Sequence, residues 1–145
     1  MAMTPEAENN FLKLLFQNVA WANIGDASGL QPSGAAGDIW LSLHTASPAG
    51  QNSQTQSEAT YTSYARINVP RTASDWTVTA NAATLAAIQS FPTSTGSSNV
   101  VTHCGLGTAS SGTGHLFAVG AISPSITVTT GITPQADTST TFTAT

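Results

Sequence analysis

The sequence predicts an all-β chain: an antiparallel β-sandwich, jelly-roll-like, of about eight short strands with one N-terminal α-helix. Short apolar runs rich in β-branched and aromatic residues recur along residues 38–145, and clusters of Gly, Pro, Ser and Thr separate them. The segment Val100–Ile122 forms two such runs around a loop, Thr108–Gly114, that contains only Thr, Ala, Ser and Gly. This pattern is typical of a β-hairpin, and the apolar runs predict that both strands are buried.

The predicted helix lies within residues 1–25. Thr4 is suited to cap it, Pro5 to occupy its first position, and Glu6 and Glu8 to interact with its dipole. Gly25 is a plausible end of the helix. Apolar residues at a spacing of three and four form one stripe, namely Phe11, Leu12, Leu15, Phe16 and Val19. The stripe fits either packing against its own domain or docking on a partner subunit.

Residues 26–37 form a predicted linker of Gly, Ser, Ala and Pro, and residues 38–145 form the predicted sandwich. The alternation across Ile39–His44 predicts a half-buried strand, and residues 46–60 are predicted to form a long polar loop. The residues 82–87 alone also fit a helix, but the adjoining Thr and Ile favour a strand. The further predicted strands are Tyr64–Val69, Trp76–Thr79, Thr84–Phe91, Val100–Gly107, His115–Ile122, Ser125–Thr130 and Thr140–Thr143.

The composition excludes some partners. Three Lys and Arg against seven Asp and Glu give a net charge of -4, so we expect no binding to nucleic acid, which needs clustered cations. No apolar run approaches the ~20 residues of a membrane span, and the N-terminus lacks a signal-peptide pattern. We therefore expect no membrane partner and synthesis in a cytoplasm. An uncharged surface can be buried against another protein at low desolvation cost, although a monomeric extracellular domain is the alternative.

No catalytic, metal or cofactor site is predicted, and we expect a protein that is not an enzyme. The three histidines, His44, His103 and His115, lack metal-ligand spacing, and adjacent strand residues such as His103 and Cys104 point to opposite faces. A pairing of Cys104 with His44 or His115 across strands is the remaining nucleophile hypothesis. As the single cysteine, Cys104 forms no disulfide within the chain.

Two further groups of residues have alternative interpretations. Four aromatic residues fit either the core or a sugar-binding platform: Trp40, Tyr61, Tyr64 and Trp76. In so uncharged a chain, we expect Arg66 and Arg71 to pair with an acid such as Glu58 or Asp75, or with a carboxylate of a partner.

Three segments occur in an order that resembles a family of small virion proteins of tailed bacteriophages. They are DIWLSLHTASPA (Asp38–Ala49), YTSYARINVPR (Tyr61–Arg71) and VTHCGLGTASSGTGHLFAVGAI (Val101–Ile122). The resemblance covers roughly residues 39–133, and the chain departs from it at Cys104, where an aromatic residue is common. It implies a structural virion component, and its members are often labelled tail-fibre proteins.

Small jelly-roll proteins of this size also resemble capsid cement or decoration proteins, which bridge major capsid subunits on the outer head. A cement protein is our main functional hypothesis, with the major capsid protein as partner, a homodimer or other small homo-oligomer as the assembly, and the outer head surface of the virion as the location. The alternative is a tail- or baseplate-associated structural or fibre protein with possible contact to host glycans; a small hydrolase is a third hypothesis. The predicted partner interface comprises Phe11, Leu15, Phe16, Val19, Gln51, Gln54, Tyr61, Arg66 and Arg71.

Overall fold

A computed structural model of the chain describes residues 2–25, 29–48, 50 and 52–144. These residues form one helix, α1 (Pro5–Gln17), and nine strands. The fold class is confirmed: the chain is mostly β, its sheets are antiparallel, and the strands are compatible with a β-sandwich. The strands are β1 (Asp38–His44), β2 (Ile67–Pro70), β3 (Trp76–Thr79), β4 (Ala82–Leu85), β5 (Gln89–Ser90), β6 (Asn99–Gly107), β7 (Leu116–Val128), β8 (Gln135–Ala136) and β9 (Thr141–Thr143).

The chain divides into two compact units, each built from segments that are distant in sequence. The first unit comprises residues 1–38, 70–88 and 136–145, and the second comprises residues 39–69 and 89–135. The domain boundaries predicted after residues 25 and 37 stay a prediction. The first three residues of the predicted linker, 26–28, lie outside the described residues.

In the first unit, helix α1 begins as predicted and ends earlier. The Thr4 hydroxyl accepts a hydrogen bond from the Ala7 N–H (3.3 Å), and Pro5 opens the helix. The helix ends at Gln17 rather than near Gly25, because Asn18 adopts a left-handed conformation with φ of 55°. Asparagine tolerates this conformation better than most residues. Val19 therefore lies beyond the helix.

The helix packs its buried side chains, Leu12 and Phe16, within this unit. A three-stranded antiparallel sheet of order β3-β4-β9 belongs to the same unit. The Phe16 ring lies 4.6 Å from the Trp76 ring and 5.3 Å from the Phe142 ring, measured between centroids. Two of these rings come from the first and last strands of the sheet, so burial of Phe16 fixes the helix against it.

The second unit contains a four-stranded sheet of order β2-β1-β6-β7 and the short pair of β5 with β8. The alternation predicts a half-buried β1, but Ser42 and His44 are fully buried along with Ile39, Leu41 and Leu43, and Trp40 is partly exposed. Polar side chains on this strand find hydrogen-bond partners inside the unit, which allows both faces to be covered.

Several predicted strands have different limits. A turn at residues 61–64, closed by the hydrogen bond from the Tyr64 N–H to the Tyr61 carbonyl (2.9 Å), delays β2 to Ile67. The predicted strand 84–91 splits into β4 and β5, the predicted strand 125–130 joins β7, and β8 was not predicted. Strand β3 and the polar character of the 46–60 loop agree with the prediction.

The β6–β7 hairpin is confirmed, but its second strand is not buried. Strand β6 pairs with β7 from Asn99↔Val128 to Gly107↔Leu116, with register shifts near each end. Strand β7 is the last strand of the sheet, and of its 13 residues Val128 alone is buried. The apolar run predicts a buried strand, whereas it forms an exposed edge of the sheet.

Candidate functional site

The Arg66 side chain holds the tip of the β6–β7 hairpin against the loop that precedes β2. Its Nε and Nη2 atoms donate to the two carboxylate oxygens of Glu58, at 2.6 and 2.7 Å. Its Nη1 atom donates to the Ala109 carbonyl (2.9 Å), and Nη2 also donates to the Gly112 carbonyl (2.7 Å). The side chain is only 2% exposed. The internal pair with Glu58 is therefore confirmed, and Arg66 offers no free guanidinium to a partner.

The Tyr64 hydroxyl completes this cluster. It donates to Glu58 Oε1 (2.9 Å) and accepts from the Leu43 N–H (3.0 Å). Burial, the largest cause, raises the pKa of Tyr64 well above its ordinary value. The hydrogen bond to Glu58 is the main cause of a raised pKa of Arg66. The Tyr64 phenol therefore stays neutral, and the Arg66 guanidinium stays charged.

Gln54 also forms hydrogen bonds with the tip of the β6–β7 hairpin. Its Oε1 atom accepts from the Ala109 N–H (3.0 Å), and its backbone N–H donates to the Thr113 carbonyl (2.8 Å). Its side chain lies so close to Gly107 and Gly114 that a Cβ atom at either position would overlap it. Gln54 is fully buried, so its predicted place in a partner interface is not matched by any exposed surface.

A cleft of about 450 Å³ opens beside the ion pair. Hydroxyl-bearing residues and small residues form most of its wall. The Glu58, Tyr64 and Arg66 side chains in its lining are hydrogen-bonded to each other, and the cleft presents hydroxyls rather than a reactive group. Its lining residues are Thr55, Glu58, Ala59, Thr60, Tyr64, Ala65, Arg66, Ser110, Ser111 and Gly112.

Arg71 contacts backbone carbonyls rather than an acid. Its Nε atom donates to the Leu15 carbonyl and Nη2 to the Leu14 carbonyl, both at 2.6 Å. The guanidinium thereby satisfies carbonyls at the end of helix α1, where the dipole favours a cation. The predicted pairing with Asp75 does not form, since Asp75 accepts from the Thr72 and Ser74 hydroxyls.

His44 is a buried structural residue. Because a carbonyl can only accept, the contact of Nδ1 with the Gln56 carbonyl (2.8 Å) places the ring proton on Nδ1. Nε2 then accepts from the Ser42 hydroxyl (2.9 Å). Burial lowers the pKa of His44, so the ring is held in its neutral form.

The described residues give no support to the hypothesis that Cys104 is a nucleophile paired with His44 or His115. Burial raises the pKa of the Cys104 thiol to about 12, which keeps it protonated. The thiol contacts the Gly105 carbonyl at 4.0 Å, whereas the two ring nitrogens of His44 contact Gln56 and Ser42. Among the described residues, no group of three or more His, Cys, Asp and Glu could hold a metal ion. No described helix is long and apolar enough to cross a membrane.

The predicted interface residues differ in their exposure, and the partner interface stays a prediction. Phe11 is 38% exposed and Val19 is 45% exposed, and Leu15 is partly exposed. Phe16 is buried in the first unit, and Tyr61 is buried with its hydroxyl donating to the Pro92 carbonyl (3.0 Å). Gln51 lies outside the described residues. Among the described residues of the predicted helix stripe, Phe11, Leu15 and Val19 remain accessible at the surface.

Of the four residues considered for an aromatic platform, two are buried, and Trp40 and Tyr64 are partly exposed. Trp76 and Tyr61 are each 2% exposed, and the Tyr64 ring packs between Tyr61 and Phe91. Among the described residues, the structure exposes eight large apolar side chains, of which Phe11 and Val19 belong to the predicted interface. The other six were not predicted as interface residues, and they are Met3, Leu30, Ile88, Val100, Phe117 and Ile132. For Phe117, the sequence signal was its place in the uncharged run Leu116–Ile122.

Comparison with known proteins identifies one family. The family model described as Gp80, podophage GP4 fiber I protein gp80, matches residues 2–142. The match spans nearly the whole chain, and the chain therefore belongs to this family. The expectation of a tailed-phage virion protein is confirmed. No curated protein matches the chain.

Proposed function

We propose that this member of the Gp80 family is a non-catalytic structural subunit of a podophage virion, located in the tail and its fibres. The observation that carries the proposal is the family match over residues 2–142, whose description names a fibre protein. The chain belongs to a family of phage virion proteins. Its place within the particle is the part that we propose.

The described side chains support a role in holding a shape. Arg66 and Glu58 neutralise each other inside the second unit, and Arg71 is engaged by helix carbonyls. Both ring nitrogens of the buried His44 are engaged in hydrogen bonds, and the Cys104 thiol stays protonated. What remains at the surface is mainly hydroxyl and small apolar side chains. Such a surface is suited to burial against other virion proteins, because few ions need to be stripped of water.

The capsid cement hypothesis gives way to the fibre-related alternative as the leading proposal, because the family description fits that alternative at least as well. The two proposals differ in the partner. A cement protein bridges copies of the major capsid protein, whereas a fibre-related protein contacts tail components. Both proposals need repeated copies, which give strong binding through many modest contacts.

A cryo-EM map of the intact particle tests the location directly, together with mass spectrometry of separated heads and tails. We expect density for this chain at the tail and its peptides in the tail fraction. Density that bridges capsid subunits on the outer head, with peptides confined to the head fraction, would overturn the proposal in favour of a cement protein. Phage particles disrupted without fractionation serve as the control for peptide recovery.

A further inference from the structure

Strand β7 leaves one edge of the four-stranded sheet open. It follows β6 at the end of the order β2-β1-β6-β7. Beyond its pairing with β6, the described residues provide one backbone hydrogen bond, from the Leu116 N–H to the Asn52 carbonyl (2.9 Å). A row of backbone donors and acceptors at such an edge is a template for another strand.

The other edge of the same sheet, strand β2, is better protected than β7. Strand β2 has four residues and ends at Pro70, which has no N–H to donate. Strand β7 has 13 residues, and its first seven, Leu116–Ile122, contain neither a charge nor a proline. Natural sheets usually protect an edge with short strands, charges, prolines or bulges. Within this run, residues 118–121 pair regularly with β6, and register shifts lie on both sides of them. The regular part has no charge or proline to protect its outer edge.

Gly120 adds an independent observation. A Cβ atom at this position would meet no atom within 4 Å, and the residue does not adopt the left-handed conformation. The packing of a single chain therefore does not require glycine there. Glycine weakens a strand, and within one it often marks a position where another backbone approaches closely.

We propose that the Leu116–Ile122 edge pairs with the same edge of a second copy of this chain, antiparallel about a two-fold axis near Gly120. Two identical strands related in this way match each other's N–H and C=O groups without a second sequence. Because the run carries no charge, the pairing places no like charges opposite each other. The four-stranded sheet continues across the axis into the second copy, and Phe117, which is 39% exposed, is covered there.

The purified chain tests this proposal in solution, whatever its location in the virion. We expect the wild-type mass from light scattering to be that of two chains, and that of Gly120→Lys to fall to one chain, 14.8 kDa. Ile88→Lys is the matched control: it places the same charge on a residue that is 58% exposed in the first unit, and it should leave the dimer intact. Circular dichroism establishes that both variants are folded.

A cross-link provides the second measurement. Ala121 is exposed and lies next to the proposed axis, so Ala121→Cys should form a disulfide-linked dimer under mild oxidation, whereas Ile88→Cys should not. A wild-type chain that is monomeric at all concentrations would overturn the proposal. So would a dimer that survives Gly120→Lys, or a monomer that binds another virion protein through β7.

Discussion

Arg66 and Glu58 are largely withdrawn from water, and a buried pair is most sensitive when one partner is removed, since the remaining charge has no counterpart. We expect Arg66→Met to lower the free energy of unfolding by about 3 kcal/mol or more. It also removes the hydrogen bonds that hold the carbonyls of Ala109 and Gly112. Urea denaturation measures the change.

Two variants control this prediction. Glu6→Gln removes an exposed carboxyl from the first turn of α1 and should cost no more than about 1 kcal/mol. Arg66→Met combined with Glu58→Leu should recover part of the loss, because no uncompensated charge remains. A loss in Arg66→Met as small as that in Glu6→Gln would contradict a buried, structural ion pair.

His44 makes the stability depend on pH. Burial lowers its pKa below the ordinary value of 6.5, so the unfolded chain binds a proton more readily than the folded one. Its contribution to stability is fully present above pH 6.5 and falls as the pH drops from there towards the folded pKa. We expect His44→Gln to flatten this part of the curve of unfolding free energy against pH, as measured by denaturation at successive pH values. An unchanged slope in the variant would rule out His44 as its source.

Some contacts of individual residues could be predicted from the sequence and others could not. Because the chain has few charges, Arg66 was expected to pair with an acid, and Glu58 was among the predicted partners. The same reasoning could not find the carbonyl contacts of Arg71, because backbone acceptors at a helix end have no sequence signature. Gln54 looked like a polar loop residue, and its burial depends on the position of the hairpin tip, which is distant in sequence.

Elements were predictable where their limits are set locally. Strand β3 and the start of α1 agree with the prediction, because turns and a capping threonine bound them. The apolar run of β7 identifies a strand, but a run of this kind cannot distinguish a central strand from an edge. That distinction depends on strand order, which arises from long-range pairing. For the same reason the sequence could not place Phe117 at the surface.

Strand β6 offers a test of close packing at the level of the element. A Cβ atom at Gly105 would lie 2.6 Å from Leu116 Cδ1 and 2.7 Å from His44 Nε2. We expect Gly105→Ala to lower the unfolding free energy by about 1–3 kcal/mol, since the neighbours belong to paired strands and a buried hydrogen bond. Thermal or urea denaturation measures the loss.

Gly34→Ala is the matched control for the strand variant. A Cβ atom at Gly34 would meet nothing within 4 Å, and the residue does not adopt the left-handed conformation. The change should be neutral or slightly stabilising, because alanine reduces the freedom of the unfolded chain. Equal stabilities of the two variants would mean that β6 is not held close to its neighbours.

At the scale of the whole molecule, charged residues are scarce, and two of the three cationic side chains bind groups of the chain itself. The chain has three Lys and Arg, of which Arg66 pairs with Glu58 and Arg71 binds carbonyls of α1. A net charge of -4 then rests on acids distributed along the chain. Attachment to the virion through such a surface depends on apolar and hydrogen-bonded contacts more than on ion pairs.

This distribution predicts how attachment responds to salt. Raising the ionic strength shortens the Debye length from about 10 Å at 0.1 M to about 3 Å at 1 M and so weakens exposed ion pairs, while apolar contacts persist. We expect the amount of this chain retained on purified particles to stay constant across that range, as measured by quantitative mass spectrometry after sedimentation. Urea, which weakens apolar contacts, should release the chain and serves as the positive control. Progressive release by salt alone would contradict attachment through an uncharged surface and point to the exposed acids as the contact with a basic partner.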